Sequence, residues 1–208
     1  LQEQGKTVAI IEVDKKQIGL IALSDTLKDE SKDAVSKLHA RNIKVIMLTG
    51  DNYLAASYIA KLAGIDEVIA EVMPHEKRGK IKELQDGGAI VAMVGDGIND
   101  APALVQADVG IAMGTGTDVA IESAGITLLG GDVSKIAKAI KLSHITMRGI
   151  KQNLFWAFIF NVVGIPLAAG LFYPIFGWLL NPAFAGLAMA LSSVSVVSNS
   201  LRIKAKKL

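Results

Sequence analysis

The sequence predicts an α/β protein, a parallel sheet wrapped by helices, followed by a two-helix transmembrane hairpin. Three observations point to it. Short apolar runs at 43–48, 67–72, 89–94, 109–113 and 126–129 alternate with segments of helical spacing, the pattern of buried parallel strands joined by helices. Clusters of Thr, Gly, Asp and Asn follow two of those runs, at 49–52 and 95–100, the strand ends at which open α/β sheets bind ligands. Residues 153–201 are 49 consecutive positions without Asp, Glu, Lys, Arg or His.

The net charge of +2 conceals an uneven distribution. Residues 1–152 hold 18 basic and 20 acidic side chains, and the other four cations, Arg202, Lys204, Lys206 and Lys207, follow the uncharged stretch. No basic patch for nucleic acid is implied. The chain has no cysteine, which excludes disulfides and thiolate metal sites within it. It shows no signal peptide, and it starts at Leu1 without an initiator Met, as if cut from something longer.

In chain order, 7–13 and 17–23 are β-rich and separated by Asp14-Lys15-Lys16, a short hairpin or two edge strands. Residues 25–42 have the spacing of a surface helix, with Leu27, Ala34, Val35 and Leu38 on the apolar face. The strand 43–48 then runs into Thr49-Gly50-Asp51-Asn52. Thr49 and the Gly50 amide are placed to hydrogen-bond a phosphoryl group at the start of the next helix, 53–63, or else Thr49 and Asp51 simply cap it. Gly64 ends that helix. After the strand 67–72, Pro74 opens a helix over 75–85 with Lys77 in its first turn. The helix dipole disfavours a cation there, so the lysine either serves a phosphate or is merely solvated. His39, His75 and His144 read as surface positions, so no metal is assigned to them.

The strand 89–94 feeds the densest chemistry in the chain, Gly95-Asp96-Gly97-Ile98-Asn99-Asp100-Ala101-Pro102-Ala103-Leu104. Pro102 suits a first helical turn. Asp96 and Asp100, four positions apart beside a helix N-terminus, suit a hard cation such as Mg²⁺ held against phosphate. The strand 109–113, the turn Gly114-Thr115-Gly116-Thr117, a helix through Ser123 and the strand 126–129 complete the sheet. Gly-x-Gly in that turn is by itself a weak phosphate-loop signal. From Asp132, as N-cap, a long amphipathic helix runs to Gln152 with Lys135, Lys138, Lys141, Arg148 and Lys151, a stalk meeting a membrane surface.

A bilayer crossing takes about 20 apolar residues, so the uncharged stretch accommodates two spans, 154–172 and 183–201, joined by 173–182. Trp156, Tyr173 and Trp178 suit the interfacial belts, and cations flank both ends, so both ends face the cytosol. Asn161 lies mid-span, five residues before Pro166, which should disturb the helix. Met189 and Ser193 share one face of the second span, with Ser192, Ser195, Ser198, Asn199 and Ser200 adding polarity. Small hydroxyl residues commonly just pack helices together, whereas a thioether beside an amide and a hydroxyl suits a soft metal such as Cu(I).

Taken together, Thr49-Gly50-Asp51, Lys77 and the 95–104 string resemble the phosphorylation domain of P-type ATPases, a haloacid-dehalogenase-like Rossmannoid fold. Residues 113–125 and the single hairpin after them resemble the heavy-metal-transporting class. The copper(I)-exporting members have a Tyr-Asn pair and Met-x-x-x-Ser in their last two spans, matched here by Phe160-Asn161 and Met189 to Ser193; Phe160 departs from the tyrosine. The resemblance implies Asp96 as the Mg²⁺ ligand with Asp100 beside it, and Asn99 and Asp100 as supports of the phosphate site. It makes Thr49, Gly50 and Lys77 the phosphate contacts, Asp51 part of the same catalytic loop, and Asn161, Met189 and Ser193 copper-site candidates. The implied cofactors are Mg²⁺ and ATP, with Cu⁺ transported. The family's phosphorylated aspartate lies in Asp-Lys-Thr-Gly-Thr, which this sequence lacks, as it lacks Cys-Pro-Cys.

The expectation is therefore the C-terminal part of a copper pump in the cell membrane, inactive alone, whose partners are the remaining pump segments, the lipid bilayer and copper. Its divisions are 1–23, the end of a nucleotide-binding domain; 24–131, the C-terminal part of the phosphorylation domain; 132–152, the stalk; 153–201, two transmembrane helices; and 202–208, a basic cytosolic tail. The alternatives are a pump for Zn, Cd or Co, a soluble-type phosphohydrolase of the same fold, or a membrane-anchored binding fragment.

Overall fold

The structure, a computed structural model, describes residues 1, 6–23, 26–171, 173–177 and 181–204. Asp25, Trp178, Lys206 and Lys207 thus lie outside the described residues, as do the end of the first predicted span and that of the tail. The chain divides into two compact units, Leu1–Ala137 and Lys138–Leu208.

The first unit opens on an antiparallel hairpin, β1 (Thr7–Val13) and β2 (Lys16–Leu23). Its tight turn is Asp14-Lys15, both at positive φ (51° and 62°), the twist that two-residue hairpins favour, so Lys16 belongs to the strand rather than to the turn. Ile18, Leu20 and Leu23 are all exposed. Helix α1 covers Asp29–His39, shorter than the predicted 25–42, because residues 40–42 turn through Asn42 at φ 56°. It buries Ala34 and Val35.

The sheet is parallel as expected, but it is made of two pieces. β3 (Ile46–Leu48) pairs with β4 (Glu67–Ile69) across α2 (Tyr53–Ala63), and β5 (Ala92–Gly95) pairs with β6 (Val109–Met113), which pairs with β7 (Ile126–Leu128). No ladder joins the two pieces among the described residues. The βαβαβ order is found, and α3 (Lys77–Asp86) connects strands, β4 and β5, that no ladder joins among the described residues. The pieces still share a core. Leu48 of β3 packs against Ile81 of α3, Val91, Met93 of β5, Ala103 and Leu104 of α4 (Ala101–Gln106), and Ala120 of α5 (Asp118–Ser123).

Gly64 closes α2 in the left-handed conformation, φ 78°, as its place in the sequence foretells. Helix α3 starts at Lys77, two residues later than predicted. Residues 74–76 form a turn in which Glu76 reaches back to accept the Met73 N–H at 2.9 Å.

The stalk and the first span are one helix, α6 (Ser134–Ala168), rather than two elements meeting at 152. A helix backbone continues through a change of polarity, so the loss of charge marks a change of environment and no break. Asp132 accepts the Ser134 N–H at 2.8 Å, and α6 persists two residues beyond Pro166 before Gly170, at φ 81°, ends the run. A one-turn helix, α7 (Tyr173–Phe176), precedes α8 (Pro182–Lys204). Among the described residues, Ser134–Ala168 and Gly186–Lys204 are long and apolar enough to cross a membrane.

Candidate functional site

Each polar cluster begins where a strand leaves the core. Leu48, the last residue of β3, and Met93 of β5 pack into the same hydrophobic cluster, so Thr49 and Asp96 emerge from that cluster at the carboxyl ends of parallel strands.

At the end of β3 the Thr49 N–H continues the ladder to the Ile69 carbonyl at 3.0 Å. Its hydroxyl donates to Asp51 Oδ2 at 2.8 Å and accepts the Asp51 N–H at 3.1 Å, which closes a small polar turn. The cap of α2 is neither of these residues. Asn52 Oδ1 accepts the Ala55 N–H at 2.9 Å, so capping does not explain Thr49 or Asp51. Gly50 and Asp51 are exposed, and the Gly50 Cα faces the Val72 carbonyl, 3.4 Å from where a Cβ would stand.

At the end of β5 the chain bends into a short 3₁₀ turn, Ile98–Asp100, and then into α4 with Pro102 in its first turn. Asp100 is 9% exposed and has both oxygens engaged: Oδ1 accepts from Lys77 Nζ at 2.7 Å, and Oδ2 accepts the Gly97 N–H at 3.2 Å. Lys77, the first residue of α3, thus has an acidic partner 23 positions away, which resolves the oddness of a cation at a helix N-terminus. Asp96 and Asn99 are exposed. Among the described residues nothing pairs with the Asp96 carboxylate, and no group of three or more Asp, Glu, His or Cys stands ready to hold a metal by itself.

Two glycines that motif reading treats as spacing turn out to shape this loop. A Cβ at Gly95 would sit 2.7 Å from Asp100 Cβ, so only glycine lets the buried carboxylate fold back over the strand end. A Cβ at Gly116 would overlap the Asp96 carbonyl and lie 2.8 Å from its Cα, and the adjacent Thr117 N–H donates to that carbonyl at 2.9 Å. The turn after β6 is therefore a buttress for Asp96. Its Gly-x-Gly spacing was the available signal, but the contact is between the loops that follow two strands and no local pattern encodes it.

The structure joins Lys77 with Asp100 and Thr49 with Asp51. No hydrogen bond links those two clusters among the described residues. In the second unit, Asn161 is exposed and donates to the carbonyl of Ala157 at 2.8 Å, within its own helix. Met189 is 72% exposed, and Ser193 donates to the Met189 carbonyl at 3.3 Å. No hydrogen bond brings Asn161 to either of them among the described residues.

Compared with known proteins, residues 1–108 match the haloacid dehalogenase-like hydrolases. The chain belongs to that family. This haloacid dehalogenase-like chain is 57% identical over 207 residues to a copper-exporting P-type ATPase of Staphylococcus saprophyticus and 55% identical over 208 residues to a silver exporting P-type ATPase of Salmonella typhimurium. Both matches take in 100% of this chain and 25% of the relative, so it spans a quarter of their length. Among solved structures it superposes on a zinc-transporting PIB-type ATPase in the E2.Pi state with a TM-score of 0.84 and 37% identity, covering 97% of this chain and 32% of that one. The fold expectation, a haloacid-dehalogenase-like α/β domain with two candidate membrane helices, holds, and so does the similarity to heavy-metal P-type ATPases.

Proposed function

We propose that this chain supplies the Mg²⁺ and phosphate side of the phosphorylation site of an ATP-driven Cu⁺ export pump, together with one hairpin of its metal pathway. The observation that carries the reading is the unpaired, exposed carboxylate of Asp96 on a loop fixed from both sides. Lys77 and Asp100 hold one flank, and Gly116 and Thr117 hold the other.

The donors present fit Mg²⁺. That ion keeps several waters and takes one or two protein carboxylates beside substrate phosphate, so a single free carboxylate with room around it suffices. Asp96 would hold it; Asp100, with each oxygen already accepting a hydrogen bond, is better suited to set the loop. Bound there, Mg²⁺ supplies positive charge against the oxygens of a transferring phosphoryl group. The Gly50 backbone N–H offers a hydrogen bond to the same oxygens, the Thr49 hydroxyl would join it by turning its one proton from Asp51 to the phosphoryl group, and Asn99 borders the site from an exposed position. Lys77 acts on the loop through Asp100 and adds fixed positive charge nearby.

The nucleophile that would receive the phosphoryl group lies outside this sequence. Among the described residues β3 pairs only with β4 and β5 only with β6, so each has an edge with no strand on it there, with one core beneath them. On this reading the phosphorylated aspartate belongs to a further strand that would pair with these edges.

For the transported ion, the reading rests on relatives that export copper and silver and on the chemistry of residues 153–201. That stretch offers Met189, Ser193 and Asn161 and no carboxylate, a donor set for a soft monovalent ion rather than for Zn²⁺. Both ends of the hairpin face the cytosol on this reading. The experiment is reconstitution: with the remaining pump segments supplied, the chain should form an acid-stable, hydroxylamine-labile phosphoenzyme from Mg-ATP, and alone it should not. Nucleotide hydrolysis by the isolated chain would instead favour the phosphohydrolase alternative.

A further inference from the structure

The polar residues at the end of α8 belong neither to the phosphate site nor to the exposed Met189 and Ser193 of the same helix. Asn199 is 9% exposed. Its amide nitrogen donates to Asn153 Oδ1 at 2.7 Å and to the Gly149 carbonyl at 3.4 Å, both on α6. Its Oδ1 accepts from Arg202 Nη2 at 2.9 Å, and the same nitrogen reaches Gln152 Oε1 of α6 at 2.8 Å. Asn153 Nδ2 in turn donates to Ser200 Oγ at 2.9 Å. Gly149 permits the approach, since a Cβ there would overlap Ile203 Cδ1 and lie 3.2 Å from its Cγ1. Gly149 and Asn153 are four apart on α6, as Asn199 and Ile203 are on α8, so each helix presents one face to the other.

Apolar helix faces in a bilayer tolerate many relative positions, because lipid is as apolar as the partner helix. An amide network does not. Sliding α8 past α6 by one turn, about 5.4 Å, would break every one of these bonds that crosses between the helices and leave the buried Asn199 amide nitrogen unpaired. We propose that Asn199 is a positioning residue: with Asn153, Gln152 and Arg202 it locks α8 to α6, so that displacement of the stalk carries Met189 and Ser193 with it. Met189 lies ten residues along the helix, about 15 Å at the usual rise, so the lock acts through α8 and not by touching the ion. The transport role rests on the pump reading above; the lock itself does not.

The chain has no native cysteine, so Gly149→Cys with Ile203→Cys gives a single thiol pair across the lock within it. In the complete pump, with any other cysteines outside the metal path replaced, disulfide formation between them should be fast. Adding Asn199→Leu should slow it about tenfold, as expected for losing hydrogen bonds at one point of contact. In the same background Cu⁺-stimulated turnover should fall by a similar factor while phosphoenzyme formed from ATP persists. Oxidising the pair should restore turnover, and reductant should remove it again. Asn153→Leu, from the other helix, should reproduce the effect, and the double variant should be no worse than either single one. Unchanged cross-linking in Asn199→Leu overturns the lock, and so does a parallel loss of phosphoenzyme and turnover. A parent pump that forms no phosphoenzyme would sink the pump reading, and the cross-linking rate would still decide the lock.

Discussion

Lys77 Nζ stands 2.7 Å from Asp100 Oδ1, with the two side chains only 16% and 12% exposed. The pair ties the first residue of α3 to the residue just before α4, and the other oxygen of Asp100 holds the Gly97 N–H. The lysine thereby orders the loop that presents Asp96. Lys77→Ala strands a nearly buried carboxylate, and should lower the unfolding free energy by about 2–3 kcal/mol. Asp100→Asn keeps a hydrogen-bonding oxygen and should cost less. Denaturant titrations followed by circular dichroism would check the order, and a Lys77→Ala variant as stable as the parent would mean the pair is incidental.

Two glycine substitutions should act in opposite directions. Gly116→Ala drives a methyl group into the backbone of Asp96, so it should raise the Mg²⁺ concentration needed for phosphoenzyme formation about tenfold or more. Gly79→Ala, on α3 with nothing within 4 Å of the new methyl, should stabilise the protein by about 0.5–1 kcal/mol through helix propensity. A Mg²⁺ titration of labelling and a thermal melt of each variant measure the two effects.

Acid should weaken the first unit through two aspartates. Asp66 is held below the ordinary 3.8 chiefly by the Val45 N–H and then by His39, and Asp108 is lowered by the Val91 N–H and then by Gln85. A depressed carboxyl contributes stability that is fully present above its ordinary value and is lost as pH falls through the lower, folded-state value. Asp66→Asn and Asp108→Asn should therefore lower stability at pH 7 and flatten its decline below about pH 4. Unfolding midpoints recorded from pH 7 down to pH 3 would show it; parallel curves for variant and parent would contradict it.

At the other end of the chain, Met189→Ala should reduce Cu⁺-stimulated turnover while leaving labelling by ATP in place. Met189 is 72% exposed on α8, so its loss should hardly change folding. An unchanged copper response would remove Met189 from the metal pathway.

The elements best read from the sequence are those whose cause is local. β6 is found where a fully apolar run predicts it, and α2 ends at Gly64 because that residue adopts the left-handed turn. The 95–104 loop stands out because its chemistry is contiguous. What escaped depends on residues far apart. Nothing near Gly116 announces Asp96, and nothing near Lys77 announces Asp100. Sheet order is likewise not written along the chain: nothing in the sequence says that no ladder joins β4 to β5 among the described residues. Asn199 could be seen as a polar residue in a span, but its partners lie 46 and 50 positions away.

On the function proposed above, Asp96 holds the Mg²⁺ of a phosphorylation site. The most direct measurement is labelling of the assembled pump by γ-phosphate-labelled ATP with Asp96→Asn in place. No phosphoenzyme should form at any Mg²⁺ concentration, with the fold and the Lys77–Asp100 pair intact. Normal labelling by that variant would contradict it.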